Sequence, residues 1–532
     1  MKWRMILAYM LIFSLVGCSG LKSGVTEKKG MSKDQVLNLS LFGKVTQLDT
    51  MDLTSGSLII LNNVMEGLLR LDKNNQAENA IAEEKTISSD KKTYVFKLRK
   101  DAKWSDGKPI TAQDFEYAWK RALYPKLKGN AASLFYSIKN AKKYHNGNAT
   151  EKDVAVKAID PQTLEVQLEY PDPNFLDKLA SPAFAPVRKD IVKKHGLNFG
   201  KHANTVLFNG PFIVSEWNPS KIVLKKNEQY WDRNMVSLEK IEFSLLSNPK
   251  KEIDLYMAGK LDIVPLQHFT EAYRNSPDFL EVEDATTVFI NFNQNNPFFA
   301  NANIRKAVAM AIDRKYITDG VLKNGAKPAA SFVPPVIHVN GKPFNTMSKS
   351  SLKNNQQMAH TYLQKGLKEL KLSQPPVIKM VTSSIEGVAV ELKQQLKRNL
   401  GLDVQLVTAT TYEEYSTQNA DMEIWEWKAT YNDPMSFLEI FSSKSKANAF
   451  HFHNKEYDSL MDKLQLLSDS QQRQSTMIQA EKLLVDQLSA IVPLYYEGST
   501  FLQKKYVKDL QRHPYIADLS FKWTYISDEK DN

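Results

Sequence analysis

VIKMVTSSIEGVAVELKQQLKRNLGLDVQL, residues Val377 to Leu406, decides the fold class. Val377 to Val381 is a short apolar run, Ile385 to Leu400 carries apolar residues at helical spacing, and Gly401 stands where a helix would stop. Leu402, Val404 and Leu406 then alternate with polar neighbours, as in a half-buried strand. A strand, a helix and a strand in so short a span form a crossover, which implies a parallel pair and an α/β fold.

Just downstream lies MEIWEWKATYNDPMSFLEIF, Met422 to Phe441. It gathers Trp425, Trp427, Tyr431, Phe437 and Phe441 around acids, Lys428 and an Asn-Asp-Pro turn. One reading is that it lines a ligand site over which two lobes close. The plainer one, an aromatic-rich core strand ending in a turn, is the commoner fate of aromatic clusters. After it, Gln471 to Leu488 is expected to be an amphipathic helix and AIVPLYYEGS from Ala490 a buried strand.

Upstream, strands and helices alternate without repeats or low-complexity tracts. Gln35 to Leu41 alternates like a half-buried strand, and Ile59 to Leu71 is expected to be a helix. TYVFKLRK from Thr93 sets Tyr94, Phe96 and Leu98 on one face. Thr111 caps a helix whose Phe115, Ala118, Trp119 and Ala122 fall at i, i+3, i+4 and i+7. Leu164, Val166 and Leu168 alternate again, and Phe208 to Trp231 holds two strands around a Trp-Asn-Pro-Ser turn. Asn303 to Ile317 adds an amphipathic helix.

The amino terminus indicates the compartment. Lys2 and Arg4 precede an apolar run from Met5 to Val16, far short of the roughly 20 residues that span a bilayer, so it is a signal peptide. It ends in Leu15-Val16-Gly17-Cys18, which resembles a bacterial lipobox and implies acylation of Cys18, the one cysteine of the chain. No internal disulfide is then available, and the core alone holds the fold. The polar, Lys-rich stretch from Ser19 to Lys33 is expected to be a flexible tether, which implies an extracytoplasmic protein working beside the membrane, with a Gram-positive envelope favoured.

The 532 residues, 42% apolar and 24% charged, suit a globular body of about three or four domain equivalents. The formal charge of +10 is spread in pairs such as Lys91-Lys92, Lys225-Lys226 and Lys504-Lys505. That pattern is a solvated surface facing an anionic envelope. Nucleic-acid binding would need Lys and Arg clustered on one element with aromatics between them, and is not expected.

Catalytic signatures are missing or weak. The chain has no G-x-S-x-G elbow, H-E-x-x-H, P-loop or dinucleotide fingerprint. Ser350–Lys353 and Ser443–Lys446 match S-x-x-K without the K-T-G that such chemistry needs. His451 and His453 could share one face of a strand, but no third metal ligand stands out. Neither an enzyme nor a cofactor or metal site is expected.

AEEKTISSDKKTYVFKLRKDAKWSDGKPITAQDF, Ala82 to Phe115, resembles the signature segment of the bacterial extracellular solute-binding protein family 5, whose oligopeptide-binding lipoproteins serve peptide ABC transporters. NNVMEGLLRLD at Asn62, VKAIDPQTLEVQLEYPDPNFL at Val156, NGPFIVSEW at Asn209, LKKNEQYWD at Leu224, IRKAVAMAIDR at Ile304 and IVPLYYE at Ile491 follow in family order. The resemblance implies a periplasmic-binding-protein type II fold of cluster C type, with two lobes and an extra subdomain in the first. Transferred to this chain, the leader is 1–17 and the acylated tether 18–33. Lobe I is 34–62, 187–281 and 498–532; the extra subdomain is 63–186 and lobe II is 282–497. The partners implied are an oligopeptide ligand, ABC permease and ATPase subunits, and the membrane through Cys18; the protein is expected to be a monomer.

An extended peptide can pair its backbone with strand edges on both lobes, so that main-chain hydrogen bonds supply affinity whatever the sequence, while wet pockets accept varied side chains. The resemblance places one edge at Thr54, Ser55, Gly56 and Ser57 and the other at Glu426, Trp427 and Lys428, with Trp425, Thr430, Tyr431 and Asp433 nearby. The family's W-x-x-D-Y-x-[DE]-P pattern pairs its Asp with the peptide ammonium, but here that position is Thr430. Losing a charge-assisted hydrogen bond costs about 1.5–3 kcal/mol. Either Asp433, Glu426 or Glu423 substitutes, or the ligand is unusual, such as a signalling or modified peptide. The same fold could instead bind a nickel complex or a haem, or serve a permease-less chaperone-like or adhesive lipoprotein.

Overall fold

The Val377–Leu406 crossover forms as expected, in a computed structural model that describes residues 30–531 apart from 42–44, 128, 384–385, 410–419, 446–447, 449–451, 468 and 516–518. The leader and Cys18 lie outside the described residues. The expected tether runs to Lys33, but the folded body already includes its end: Met31 bridges Ser527, and buried Ser32 donates from Oγ to Asp531 at 2.9 Å.

The first half begins with β1 (Val36–Leu41), whose alternation sends Leu37, Leu39 and Leu41 into the core. Helix α1 is Ser55–Val64, not Ile59–Leu71. The helix stops because Met65 turns extended, and Leu69–Leu71 becomes a short strand paired with Ala77–Asn79. Gly67 permits that close turn, since a Cβ there would sit 3.0 Å from the Leu179 carbonyl.

Strands β2 (Ala82–Ile87), β3 (Thr93–Leu98), β4 (Val156–Asp160) and β5 (Thr163–Gln167) make an antiparallel sheet in the order β2-β3-β5-β4. Against it lies α2 (Ala112–Ala122), with Phe115 and Trp119 wholly buried. Each such side chain contributes about 1.5–3 kcal/mol by leaving water. At the start of α2 the Asp114 carboxylate accepts the Thr111 N–H at 3.0 Å, the return half of the capping box, and also the Thr111 hydroxyl at 3.1 Å.

The longest sheet adds β6 (Phe212–Trp217), β7 (Lys221–Lys226), β8 (Lys240–Leu245), β9 (Ile263–Pro265), β10 (Phe279–Phe292), β11 (Ile378–Thr382), β12 (Val404–Thr408), β13 (Met422–Lys428) and β14 (Ile491–Gln503). The helices between them include α3 (Ala302–Ala311), α4 (Gln356–Leu370), α5 (Glu386–Leu400) and α6 (Ser470–Lys482). One sheet crosses the molecule in the order β12-β11-β13-β10-β14-β9-β1-β8-β7-β6. The pairs β11–β12 and β1–β8 are parallel, while β6, β7 and β8 form an antiparallel meander.

Two lobes share this sheet. One apolar core draws on residues Leu37 to Ile263 and on Val507, Phe521 and Ile526 near the carboxyl end; another is built from Val288 to Tyr495. The long strands β10 and β14 run through both. Their antiparallel register is continuous from Phe279 to Glu283, breaks, and resumes at Thr287 opposite Tyr496. The irregular step sits between the two cores, where a bulge lets paired strands bend.

Gly498, opposite Glu283 beside that step, has no room for a side chain: a Cβ would lie 2.3 Å from the Gly325 carbonyl oxygen. Gly498→Ala is therefore expected to lower stability by about 1–3 kcal/mol through forced displacement of backbone. An unchanged urea midpoint would refute this packing. No helix among the described residues is long and apolar enough to cross a membrane.

Candidate functional site

Strand β13 divides its side chains between core and crevice. It pairs antiparallel with β10 over its whole length, from Met422 opposite Phe292 to Lys428 opposite Thr286. On its other side, β11 reaches only Met422 and Glu423. Beyond that point no described strand lies alongside Glu426 and Trp427. Met422 and Ile424 are buried, Trp425 and Trp427 half-buried, and Glu426 exposed. Trp427 donates from Nε1 to the Ser436 carbonyl at 2.7 Å, which holds the ring against the turn that follows.

That turn leads into core. Phe437 and Phe441 meet Phe332 edge-on, at ring separations of 5.2 and 5.5 Å, and Tyr431 is 1% exposed. The second half of the Met422–Phe441 stretch is thus core, while in β13 Trp425 and Trp427 rest partly against the same apolar cluster and Glu426 is exposed.

Glu426 belongs to a charged group at the step between the lobes. Asp284 on β10 binds Lys428 Nζ at 2.9 Å, and Glu497 on β14 lies within electrostatic range of Glu426, Asp284 and Lys428. Glu426 is open to solvent but walled by protein. Desolvation and the nearby Asp284 raise its carboxyl above the usual range, with Lys428 opposing. Desolvation, then Glu426 and Asp284, push Glu497 up to about 7. Asp284 carried no signal in the sequence and Glu497 only its place at the end of IVPLYYE, because the two converge with Glu426 only through strand pairing.

The other candidate acids are committed elsewhere. Asp433, 6% exposed, holds Arg473 of α6 through two bonds of 2.7 and 2.9 Å and accepts the Met435 N–H at 2.8 Å. Asn174, with its amide oriented to donate to Asp433 at 3.2 Å and accept from Arg473 at 3.3 Å, joins them from the first half of the chain. Glu423, 2% exposed, accepts from Asn291 at 3.1 Å, and burial pushes its carboxyl up to about 8. It is neutral at pH 7. Thr430 directs its N–H and hydroxyl towards the Ser436 hydroxyl. Of the three acids considered as substitutes, Glu426 alone is open to a ligand.

The Thr54–Ser57 segment differs from expectation. Only Thr54 is extended and exposed; Ser55, Gly56 and Ser57 form the first turn of α1, and the Thr54 carbonyl accepts the Leu58 N–H. Ser57 is buried, with its hydroxyl bonded to the Gln47 carbonyl at 2.8 Å. The segment is a helix start rather than a strand edge, because small residues free to approach the 47–52 loop let the helix begin four residues early.

Sequence reasoning also missed the segment that touches the turn after β13. Lys178, bound to Asp172 at 2.9 Å, stands 4.7 Å from the centre of the Tyr431 ring, whose hydroxyl donates to Glu439 at 3.0 Å. Burial opposes the charge on Lys178, but Asp172 and Glu439 outweigh it and raise its pKa. Burial, with Asp433 and Asp172 nearby, lifts Asp177 to about 6. The YPDPNFL motif at Tyr170 was the available signal. His451 and Lys446 lie outside the described residues, His453 is exposed, and no group among the described residues has the makings of a metal site.

Two lobes joined by a pair of through-running strands, with a strand side beside the joint that no described strand covers, define a solute-binding protein. The model for bacterial extracellular solute-binding proteins, family 5, middle region, matches residues 76–449, and the chain belongs to this family. It is 36% identical to the dipeptide-binding protein DppE of Bacillus subtilis over 98% of each chain. Against the oligopeptide-binding protein OppA of the same organism it is 33% identical, over 95% of this chain and 96% of that one. The structure of Listeria monocytogenes OppA bound to peptide matches with a TM-score of 0.82 at 33% identity, covering 93% of this chain and 99% of that one.

Proposed function

We propose that this chain captures oligopeptides between its lobes outside the cytoplasm and delivers them to an ABC importer, as a monomer anchored through acylated Cys18. The observation that carries the proposal is the side of β13 at Glu426 and Trp427 that no described strand covers, beside the step where β10 and β14 change register. A peptide backbone can add there as a further strand, which makes affinity largely independent of ligand sequence. The through-running strands serve as the hinge between a lobe I of 34–62, 187–281 and 498–532 and a lobe II of 282–497, with 63–186 as the extra subdomain. Binding shifts the population towards the closed form that the permease recognises.

The ligand's cationic group meets Glu426, backed by Glu497 and Asp284, rather than Thr430 or Asp433. The peptide-bound relative from Listeria and the peptide-binding relatives from Bacillus support the ligand class. The altered ammonium position supports a narrow ligand range, such as a signalling or modified peptide. Calorimetry with a mixed tri- to pentapeptide library tests both points. A few peptides are expected to bind at micromolar or better, and Glu426→Gln to weaken those with a free amino terminus by about 10- to 100-fold, the worth of one charge-assisted hydrogen bond. Tight binding of many unrelated peptides would overturn the narrow range, and a Glu426→Gln variant of unchanged affinity would overturn the assigned contact.

A further inference from the structure

A cavity of about 230 Å³ lies in the second core's lobe, among the end of α3, the loop before α4 and the start of β14. It shares no lining residue with the β13 site. Its walls are apolar, made by Ala309, Ile312, Leu352, Val485, Val492 and Pro493. Arg314 also lines it, and no carboxylate among the described residues pairs with that guanidinium. Nε donates to the Pro493 carbonyl at 2.6 Å and Nη1 to the Ala309 carbonyl at 3.1 Å. No hydrogen bond to a described residue engages Nη2, and the residue lines the cavity.

A half-buried guanidinium without a counter-ion is costly, and burial drives Arg314 down to about 10. Two exposed cations at the rim, Lys349 and Lys353, make no ion pair among the described residues. A third, Lys315, is paired with Asp319. One acid, Asp313, itself lines the cavity and accepts the Tyr316 N–H at 3.0 Å, leaving it outnumbered by Arg314, Lys349 and Lys353; Asp486 accepts the Ser350 hydroxyl and the Ser351 N–H. An apolar chamber with an uncompensated cation in its wall and two more at its mouth is complementary to a small molecule with one anionic end and a hydrocarbon body.

We propose that this cavity is a second binding site, for a medium-chain monocarboxylate whose carboxylate pairs with Arg314 and whose alkyl chain lies along Ala309, Ile312, Leu352 and Val492. The site is separate from peptide capture and does not depend on it. It gives the S-x-x-K segment Ser350–Lys353 a role in binding instead of catalysis.

Calorimetry of the mature chain with decanoate, decanol and decyltrimethylammonium tests the proposal. Decanoate is expected to bind one to one, decanol at least about tenfold more weakly for want of a charge-assisted bond, and the cation not at all. Arg314 also ties α3 to β14, so its removal risks the fold; Leu352→Trp, on the rim loop, fills the cavity instead and is expected to abolish binding. The double variant Lys349→Glu, Lys353→Glu should weaken decanoate about tenfold, and Glu426→Gln should leave it unchanged. No saturable decanoate binding, equal affinity for decanol, binding that survives Leu352→Trp, or binding lost in Glu426→Gln would each overturn the proposal.

Discussion

Arg473→Met is expected to destabilise the protein by about 3–5 kcal/mol, the cost of stripping one partner from a buried ion pair. Asp433 and Arg473 are 6% and 9% exposed and share two short hydrogen bonds. With Arg473 gone, the Asp433 carboxylate keeps the Met435 N–H but stays buried near Asp177, whose own carboxyl is raised by burial and then by Asp433 and Asp172. Methionine matches much of the arginine's volume, so the loss is electrostatic rather than a cavity. Urea unfolding followed by tryptophan fluorescence measures it, and adding Asp433→Leu is expected to recover part of the loss, because no charge is then stranded. A single variant within 1 kcal/mol of the parent would show that the pair does not anchor the turn after β13.

The second large effect depends on pH and comes from Glu423, whose folded pKa of about 8 lies above its ordinary 4.5. A raised carboxyl pKa means that the folded state holds the proton more tightly, so the contribution to stability is fully present below pH 4.5 and is lost as pH climbs through 8. At about 1.4 kcal/mol per pH unit, the loss for a group this buried is on the order of a few kcal/mol. Glu481, which burial raises to about 7, adds to the decline. His513 acts in the opposite sense below pH 6.5, because burial and Arg70 drive it down to about 4. Comparison with Glu423→Gln cancels these shared contributions. The amide keeps an oxygen for Asn291 and cannot ionise, so the variant is expected to match the parent near pH 4.5 and to exceed it by a few kcal/mol at pH 8.5. A parent and variant with parallel stability curves from pH 4.5 to 8.5 would refute the neutral Glu423.

Both effects arise in Met422–Phe441, where local pattern served poorly. The stretch carries apolar, charged and aromatic residues without a clean period, since half of it faces core and half an opening. In α6 the buried stripe is Arg473, Thr476, Met477, Ala480 and Glu481, a helical spacing with a charge at each end. Apolar periodicity marks the helix but leaves out the polar members of its buried stripe, Arg473 among them.

Local pattern alone determined the parts whose chemistry is local. The Val377–Leu406 crossover, the Thr111 capping box and the alternation of Leu37, Leu39 and Leu41 follow from the periods of helix and strand and from short-range hydrogen bonds. Only the tertiary structure decided where α1 begins, that Asp433 belongs to Arg473 forty residues away, and that Asp284, Glu426 and Glu497 converge at the joint between lobes. The physical reason is common to all three. Each depends on pairing or close approach between segments remote in the chain, and a residue's type does not record which distant partner will neutralise, desolvate or crowd it.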